Sequence, residues 1–191
     1  MANNDNARGL SLARSQGASA HTGGVNRYYV PDTDATANYV GGLVKLAGSA
    51  DAEGVPSVTG NISPGDTVVG VVVATEAITQ DSTTYRAAST ERYVLVADDP
   101  NELFEIQEDS FGGALTADSV GLNASVTGAT DGSTFTGRST MELDSDTADT
   151  TATLDLSIHR LVRRGDNEIG EFAKWLVRLN NHQYKDQTTG V

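Results

Sequence analysis

The 191-residue sequence predicts an all-β fold, a small barrel or sandwich of about seven or more strands with an extended N-terminal arm. Three observations predict it. From Tyr39 onward the apolar residues recur with period two, the spacing of a pleated strand with one face buried. Turn formers punctuate these runs, among them Pro64-Gly65-Asp66 and Gly165-Asp166-Asn167. Helical patterning is scarce: Ser110–Ser119 and Asn167–Lys174 have room for a turn or two, but neither carries an apolar stripe at i, i+3 and i+4.

The elements follow in order. Residues 1–38 contain Asn-Asn-Asp-Asn, Ser-Gln-Gly-Ala-Ser-Ala and Thr-Gly-Gly, too little apolar surface to offset the entropy of ordering the segment alone. They are expected to form an extended arm, and some 30 extended residues reach on the order of 100 Å, enough to cross a neighbouring subunit. The cluster Arg27-Tyr28-Tyr29-Val30-Pro31 gives that arm a docking point, because adjacent aromatics in a polar segment need a surface to bury against.

The body is assigned to 39–191. Leu43-Val44-Lys45-Leu46 is a short strand, and Thr67–Ala74 is a β-branched run expected to be buried on both faces. Arg92–Ala97 and Leu103–Gln107 flank Asp98–Glu102 and read as a hairpin with a five-residue loop. Val120, Leu122, Ala124 and Val126 mark a half-buried strand. Residues 127–153, rich in Thr, Asp, Gly and Ser, are read as a mobile loop or a long exposed hairpin. Leu154, Leu156 and Ile158 then alternate with polar residues, and Ala173, Trp175, Val177 and Leu179 form the returning strand, with Trp175 assigned to the core.

Composition excludes much chemistry. The chain has no cysteine, so disulfides, thiolate metal sites and cysteine nucleophiles are absent, and only His21, His159 and His182 supply imidazoles. Phosphate-cradling loops, nucleophile elbows and zincin helices have no matching motif. Asp144, Asp146 and Asp149 lack the Gly and Glu that a calcium loop of the EF-hand type requires, and are read as a solvated acidic loop. Glu105, Glu108 and Asp109 are read as a polar strand face. No catalytic residue, cofactor or metal ligand is assigned, and the expectation is a non-enzymatic protein. Nor does the sequence contain a signal peptide's apolar region or a membrane-spanning run, so it reads as soluble and unexported.

Charge is unevenly placed. The net charge is −13, yet residues 38–153 hold 18 acidic against four basic residues, while 154–191 hold six basic against five acidic. Such acidity argues against direct nucleic-acid binding. It points instead to one face that repels its neighbours and another that meets a partner. The partner contacts are assigned to Arg8, Arg14, Arg27, Tyr28 and Tyr29 of the arm and to Arg160, Arg163 and Arg164. The guanidinium forks of that last cluster suit carboxylates on another protein.

Leu161–Asn167 followed by Ala173–Gln183 resembles the ending of small head proteins of tailed bacteriophages. Ile62–Val71 is similar to a turn and β-run of capsid decoration, or cement, proteins. The resemblance implies a β-rich virion protein on the capsid exterior, present in the host cytoplasm during assembly. Its implied partners are the major capsid protein and further copies of itself, as a homotrimer or a dimer. Two alternatives share the composition: a minor head-completion or tail structural protein, and, from another class, a carbohydrate-binding β-sandwich module.

Overall fold

The computed structural model describes residues 3–16 and 24–185, and in them the all-β expectation holds. The twelve strands are β1 (Ser11–Ser15), β2 (Asn26–Val30), β3 (Leu43–Ala50), β4 (Pro56–Thr59), β5 (Gly70–Thr75), β6 (Arg92–Ala97), β7 (Glu102–Gln107), β8 (Asn123–Ala124), β9 (Val126–Thr127), β10 (Glu142–Leu143), β11 (Leu156–Leu161) and β12 (Lys174–Leu179). Two single 3-10 turns lie at Ala117–Ser119 and Ser145–Thr147. Strands β2, β4, β3, β5 and β6 close a barrel in that order. Strands β1, β7, β12, β11 and β8 form a five-stranded antiparallel sheet, and β9 and β10 make a two-stranded ribbon. Among the described residues no helix is long and apolar enough to cross a membrane.

The β-branched run explains how barrel and sheet become one body. Val69 and Val72 point into the barrel, among Tyr28, Val30, Val44, Val58, Val94 and Val96. Val68 and Val71 point the opposite way, into a second core shared with Phe104, Ile106, Leu156, Ile158, Trp175 and Val177 of the sheet. All four valines are at most 1% exposed, so the run is buried on both faces, as its composition predicts. Leu43 and Val44 of β3, and Ala97 and Val96 of β6, divide between the two cores in the same way. Within this wall a Cβ on Gly70 would meet the Ala97 backbone and the Val96 side chain. Gly70→Ala is therefore expected to prise β5 from β6 and lower stability by about 1–3 kcal/mol. An unchanged urea midpoint would show that the wall yields.

Two expectations are corrected, and for residues 127–153 the structure selects one of two. Arg92–Ala97 and Leu103–Gln107 do not pair as a hairpin, because β6 ends in the barrel and β7 begins in the sheet. The intervening turn is closed by Glu102 N–H donating to Asp99 O and by Asn101 N–H donating to Asp99 Oδ1. A short polar loop serves a corner between sheets as well as a hairpin. The corner wins because Ala97 and Phe104 belong to the same second core.

Residues 1–38 are not a free arm: their described part is built into the body. Strand β1 lies against β7 at the sheet edge, and β2 closes the barrel between β4 and β6. Each contributes few apolar residues, Leu10 and Leu12 in one case and Tyr28 and Val30 in the other, but each packs against a core that distant segments supply. His21 lies outside the described residues.

Residues 127–153 take the hairpin alternative. Glu142 and Leu143 pair with Thr127 and Val126, and Gly132 bridges Ser139. The segment is not simply exposed, since Met141 and Leu143 are fully buried, while Phe135 near its tip is 96% exposed. Asp144 caps the following 3-10 turn by accepting from Asp146 N–H, and Asp149 accepts from Thr150 N–H.

Candidate interaction surface

One side of the five-stranded sheet faces the second core and the other faces outward. Cross-strand partners in an antiparallel ladder share a face, so the register assigns the outer residues. One outer row runs from Arg160 of β11 through Leu176 of β12 and Glu105 of β7 to Ser11 of β1. In the next row Ser157 faces Arg178, and Leu103, one register step beyond the Phe104–Val177 pair, faces Arg14. Lys174 and Gln107 form a third row. The outer face thus gathers Arg14, Arg160, Lys174 and Arg178 around Leu103 and Leu176.

Two bulges create this arrangement. Strand β1 shifts register between Leu12 and Arg14, and β11 shifts between Ile158 and Arg160. Strict alternation would send Arg14 and Arg160 inward after Leu12 and Ile158. The extra residue reverses the phase, so both arginines face out and Leu161 turns in to join the core.

The β11–β12 connection that carries the arginine cluster is fastened by Asn167. Its Nδ2 donates to Val162 O and Lys174 O at 2.8 and 2.9 Å, and its Oδ1 accepts from Lys174 N–H at 2.9 Å. Arg164 Nη1 then donates to both oxygens of Glu105, and Arg164 Nε donates to Asp166. Arg160 and Arg163 are exposed and carry no ion pair among the described residues.

A groove of about 500 Å³ beside this turn is lined by Arg8, Ser11, Glu105, Gln107, Arg164 and Lys174 among others. A second depression of about 350 Å³, lined by Gln16, Leu103, Val120, Ser157, His159 and Arg178, lies at the other end of the face. At the first groove's margin Gln107 donates to Asp5 and Glu142.

The structure therefore divides the eight residues assigned from sequence. Arg8, Arg14, Arg160 and Arg164 come together on or beside the outer face, with Arg163 in the adjoining turn. Arg27, Tyr28 and Tyr29 lie apart on β2 of the barrel. Tyr28 is corrected outright: it is 3% exposed within the barrel core. Its hydroxyl donates to Asp98 at 2.7 Å and lies 3.0 Å from the Tyr184 hydroxyl, and burial first, then these bonds, raise its pKa. Arg27 is engaged within the chain, forking onto Glu76 and lying 3.4 Å above the Tyr93 ring, and Tyr29 packs against that ring at 5.5 Å.

Periodicity did not reveal Lys174, Leu176 and Arg178 as members of this face, although they stand on a strand that alternation had located. Nor did it reveal the buried polar groups beneath. Glu108 is fully buried under the sheet, accepting from Leu115 N–H at 2.9 Å, and burial pushes its carboxyl up to about 7. Asp155, also fully buried, accepts from Gly65 N–H and Val126 N–H and so ties the turn before β5 to the start of β9; burial raises its pKa as well. His182 is buried, accepts from Tyr184 N–H at Nδ1, and is held below its ordinary pKa by burial. The sequence carries no signal for Asp155, which stands in the polar phase of the alternation between Leu154 and Leu156. Compared with protein-family models, with curated proteins and with solved structures, the chain matches none.

Proposed function

We propose that this protein is a non-enzymatic virion structural component that binds the outer surface of an icosahedral phage capsid and stabilises it by bridging neighbouring major capsid protein subunits. The observation that carries the reading is the segregation of charge: a chain of net −13 gathers Arg14, Arg160, Lys174 and Arg178 on one outward sheet face. The acidic remainder faces solvent on a particle crowded with identical copies and keeps them from adhering elsewhere. Attachment stabilises the shell by mass action, because each copy binds assembled neighbours and not free subunits, and many weak contacts add. Self-association as a homotrimer, or a dimer, multiplies the bridging, and assembly takes place in the host cytoplasm.

A density map of the native particle tests the proposal. Copies are expected across the coat lattice, with the sheet's outer face against the shell. Finding none on the shell, or density confined to one vertex or the tail, would overturn it. Deleting residues 1–30 is unsuitable as a test, since it removes β1 and β2 and with them the barrel closure. Reversing Arg160 and Arg178 to Glu instead is expected to lower particle attachment at low salt, read by co-sedimentation with particles stripped of this protein.

A further inference from the structure

We infer that the outer face of the five-stranded sheet is a seat for an acidic, extended segment of a partner polypeptide, whose carboxylates pair with Arg14, Arg160, Lys174 and Arg178. The inference deepens the proposed function, on which the identity of the partner as a coat subunit rests, by naming what the face takes.

Size argues for a segment rather than a globular surface. Four strands of five or six residues about 4.8 Å apart, at about 3.3 Å per residue, with the two-residue β8 at their edge, give a face on the order of 400 Å². That is about half of the roughly 800 Å² each partner buries in a stable interface between two folded proteins. A second folded copy would need surface beyond this face, whereas a single strand laid on it would not.

Spacing argues for an extended segment. The Arg160–Leu176 row and the Arg178 row are two residues apart on β12, a separation of about 6.6 Å, and side chains on one face of an extended peptide repeat at the same interval. A segment lying parallel to the strands therefore presents successive carboxylates to successive rows. The depressions of about 500 and 350 Å³ at the two ends of the face admit its ends.

Charge argues for carboxylates. Arg164 is committed to Glu105 and Asp166, but Arg14, Arg160, Lys174 and Arg178 have no acidic partner among the described residues. Arg178 has only a 3.5 Å contact to the Gln16 side chain, and Arg14 Nε is enclosed with no acceptor. Leu103 and Leu176 beneath them are 0% and 7% exposed, so what the face offers a partner is the forked donors of the guanidinium groups and the Lys174 ammonium.

A polypeptide is favoured over a nucleic acid because the face has no platform for bases. Neither depression is lined by Phe, Tyr or Trp, which single-strand binders use for stacking. Glu105, Asp166 and, at the margin, Asp5 and Glu142 also interrupt the positive field that a continuous phosphate chain requires.

The experiment uses the full chain and a fluorescent ten-residue peptide of alternating Glu and Val, followed by anisotropy. Controls are the Gln-for-Glu peptide and a single-stranded DNA ten-mer. The Glu peptide is expected to bind at about 20 mM salt and to weaken at least tenfold by about 0.3 M. The Gln peptide is not expected to bind. Arg160→Glu with Arg178→Glu should weaken binding at least tenfold and either reversal alone severalfold, while Arg138→Glu, equal in charge change to either single reversal but on the 126–143 hairpin, should not. The milder pair Arg160→Gln and Arg178→Gln keeps much of each stem and should lose part of the affinity, should the reversal unfold the sheet. No binding at low salt, equal loss from Arg138→Glu, or tighter binding of the DNA would each overturn the inference. Peptide binding without attachment to particles would overturn the capsid reading and leave this one standing.

Discussion

Replacing Arg86 with alanine is expected to lower the stability of the fold by about 3–5 kcal/mol, because bonds from one buried guanidinium to four backbone carbonyls are lost together at about 1 kcal/mol or more each. Arg86 is fully buried. Its Nε donates to Thr90 O at 2.7 Å, Nη1 to Thr36 O at 2.6 Å, and Nη2 to Pro31 O and Asp34 O at 2.6 and 2.8 Å. Four carbonyls, from the turns after β2 and before β6, therefore converge on one guanidinium. Alanine would remove this donor from Thr36 O and Thr90 O and leave Pro31 O and Asp34 O with only the N–H groups of Asp34 and Ser89, each lost bond costing about 1 kcal/mol or more. Arg86→Lys is expected to recover little, because a single ammonium cannot reproduce a planar fork with donors aimed in three directions. Urea unfolding measures both variants. A loss below about 1 kcal/mol for the alanine variant would mean the turns find other donors.

The second large effect is a pH dependence centred on Glu108. Burial raises its carboxyl pKa to about 7 against an ordinary 4.5. Between these values the native state holds a proton that the unfolded chain has released, so stability falls as pH rises through that window, by about 3 kcal/mol at most. Glu108→Gln keeps an acceptor for Leu115 N–H and removes the titration, so it is expected to flatten this decline and to be the more stable protein above pH 7. His182 acts in the opposite sense: its lowered pKa makes stability rise with pH below the ordinary imidazole value. Asp155 shares the sign of Glu108 from a lower starting pH. The difference between wild type and Glu108→Gln, measured as urea midpoints from pH 4 to 8, cancels both. Parallel curves would refute the assignment.

Strands whose apolar residues alternate without interruption were legible. Thr67–Ala74, Arg92–Ala97, Leu154–Ile158 and Ala173–Leu179 appear as strands or strand approaches close to where the pattern places them. Strands β1 and β2 were hidden because a segment's average composition reports whether it can fold alone, not whether it completes another segment's sheet. The corner at Asp98–Asn101 was misread because loop length does not say which strand lies beside which. The interaction face was half legible. Arg160 and Arg164 stand out by density along the chain, but Arg14, Lys174 and Arg178 join them only through cross-strand register and two bulges. Arg86, Glu108 and Asp155 were not legible as buried, since what makes their burial tolerable is a set of backbone groups from remote positions.

The wall in which Val68 and Val71 face one way and Val69 and Val72 the other also bears on synthesis. The five barrel strands have all emerged by Ala97, but the partners of the wall's outer side, Leu156, Ile158, Trp175 and Val177, lie some 60 to 80 residues later. A nascent chain that closes its barrel early therefore presents an uncovered patch of Leu43, Val68, Val71 and Ala97 until β11 and β12 have emerged. The edge strand β1, made first, must wait for β7 before it can pair. So non-local a topology folds slowly and exposes sticky intermediates. For such a chain the yield of soluble protein is set by the rate of elongation past β12 and by chaperone occupancy of that patch, as much as by the final stability of the native state.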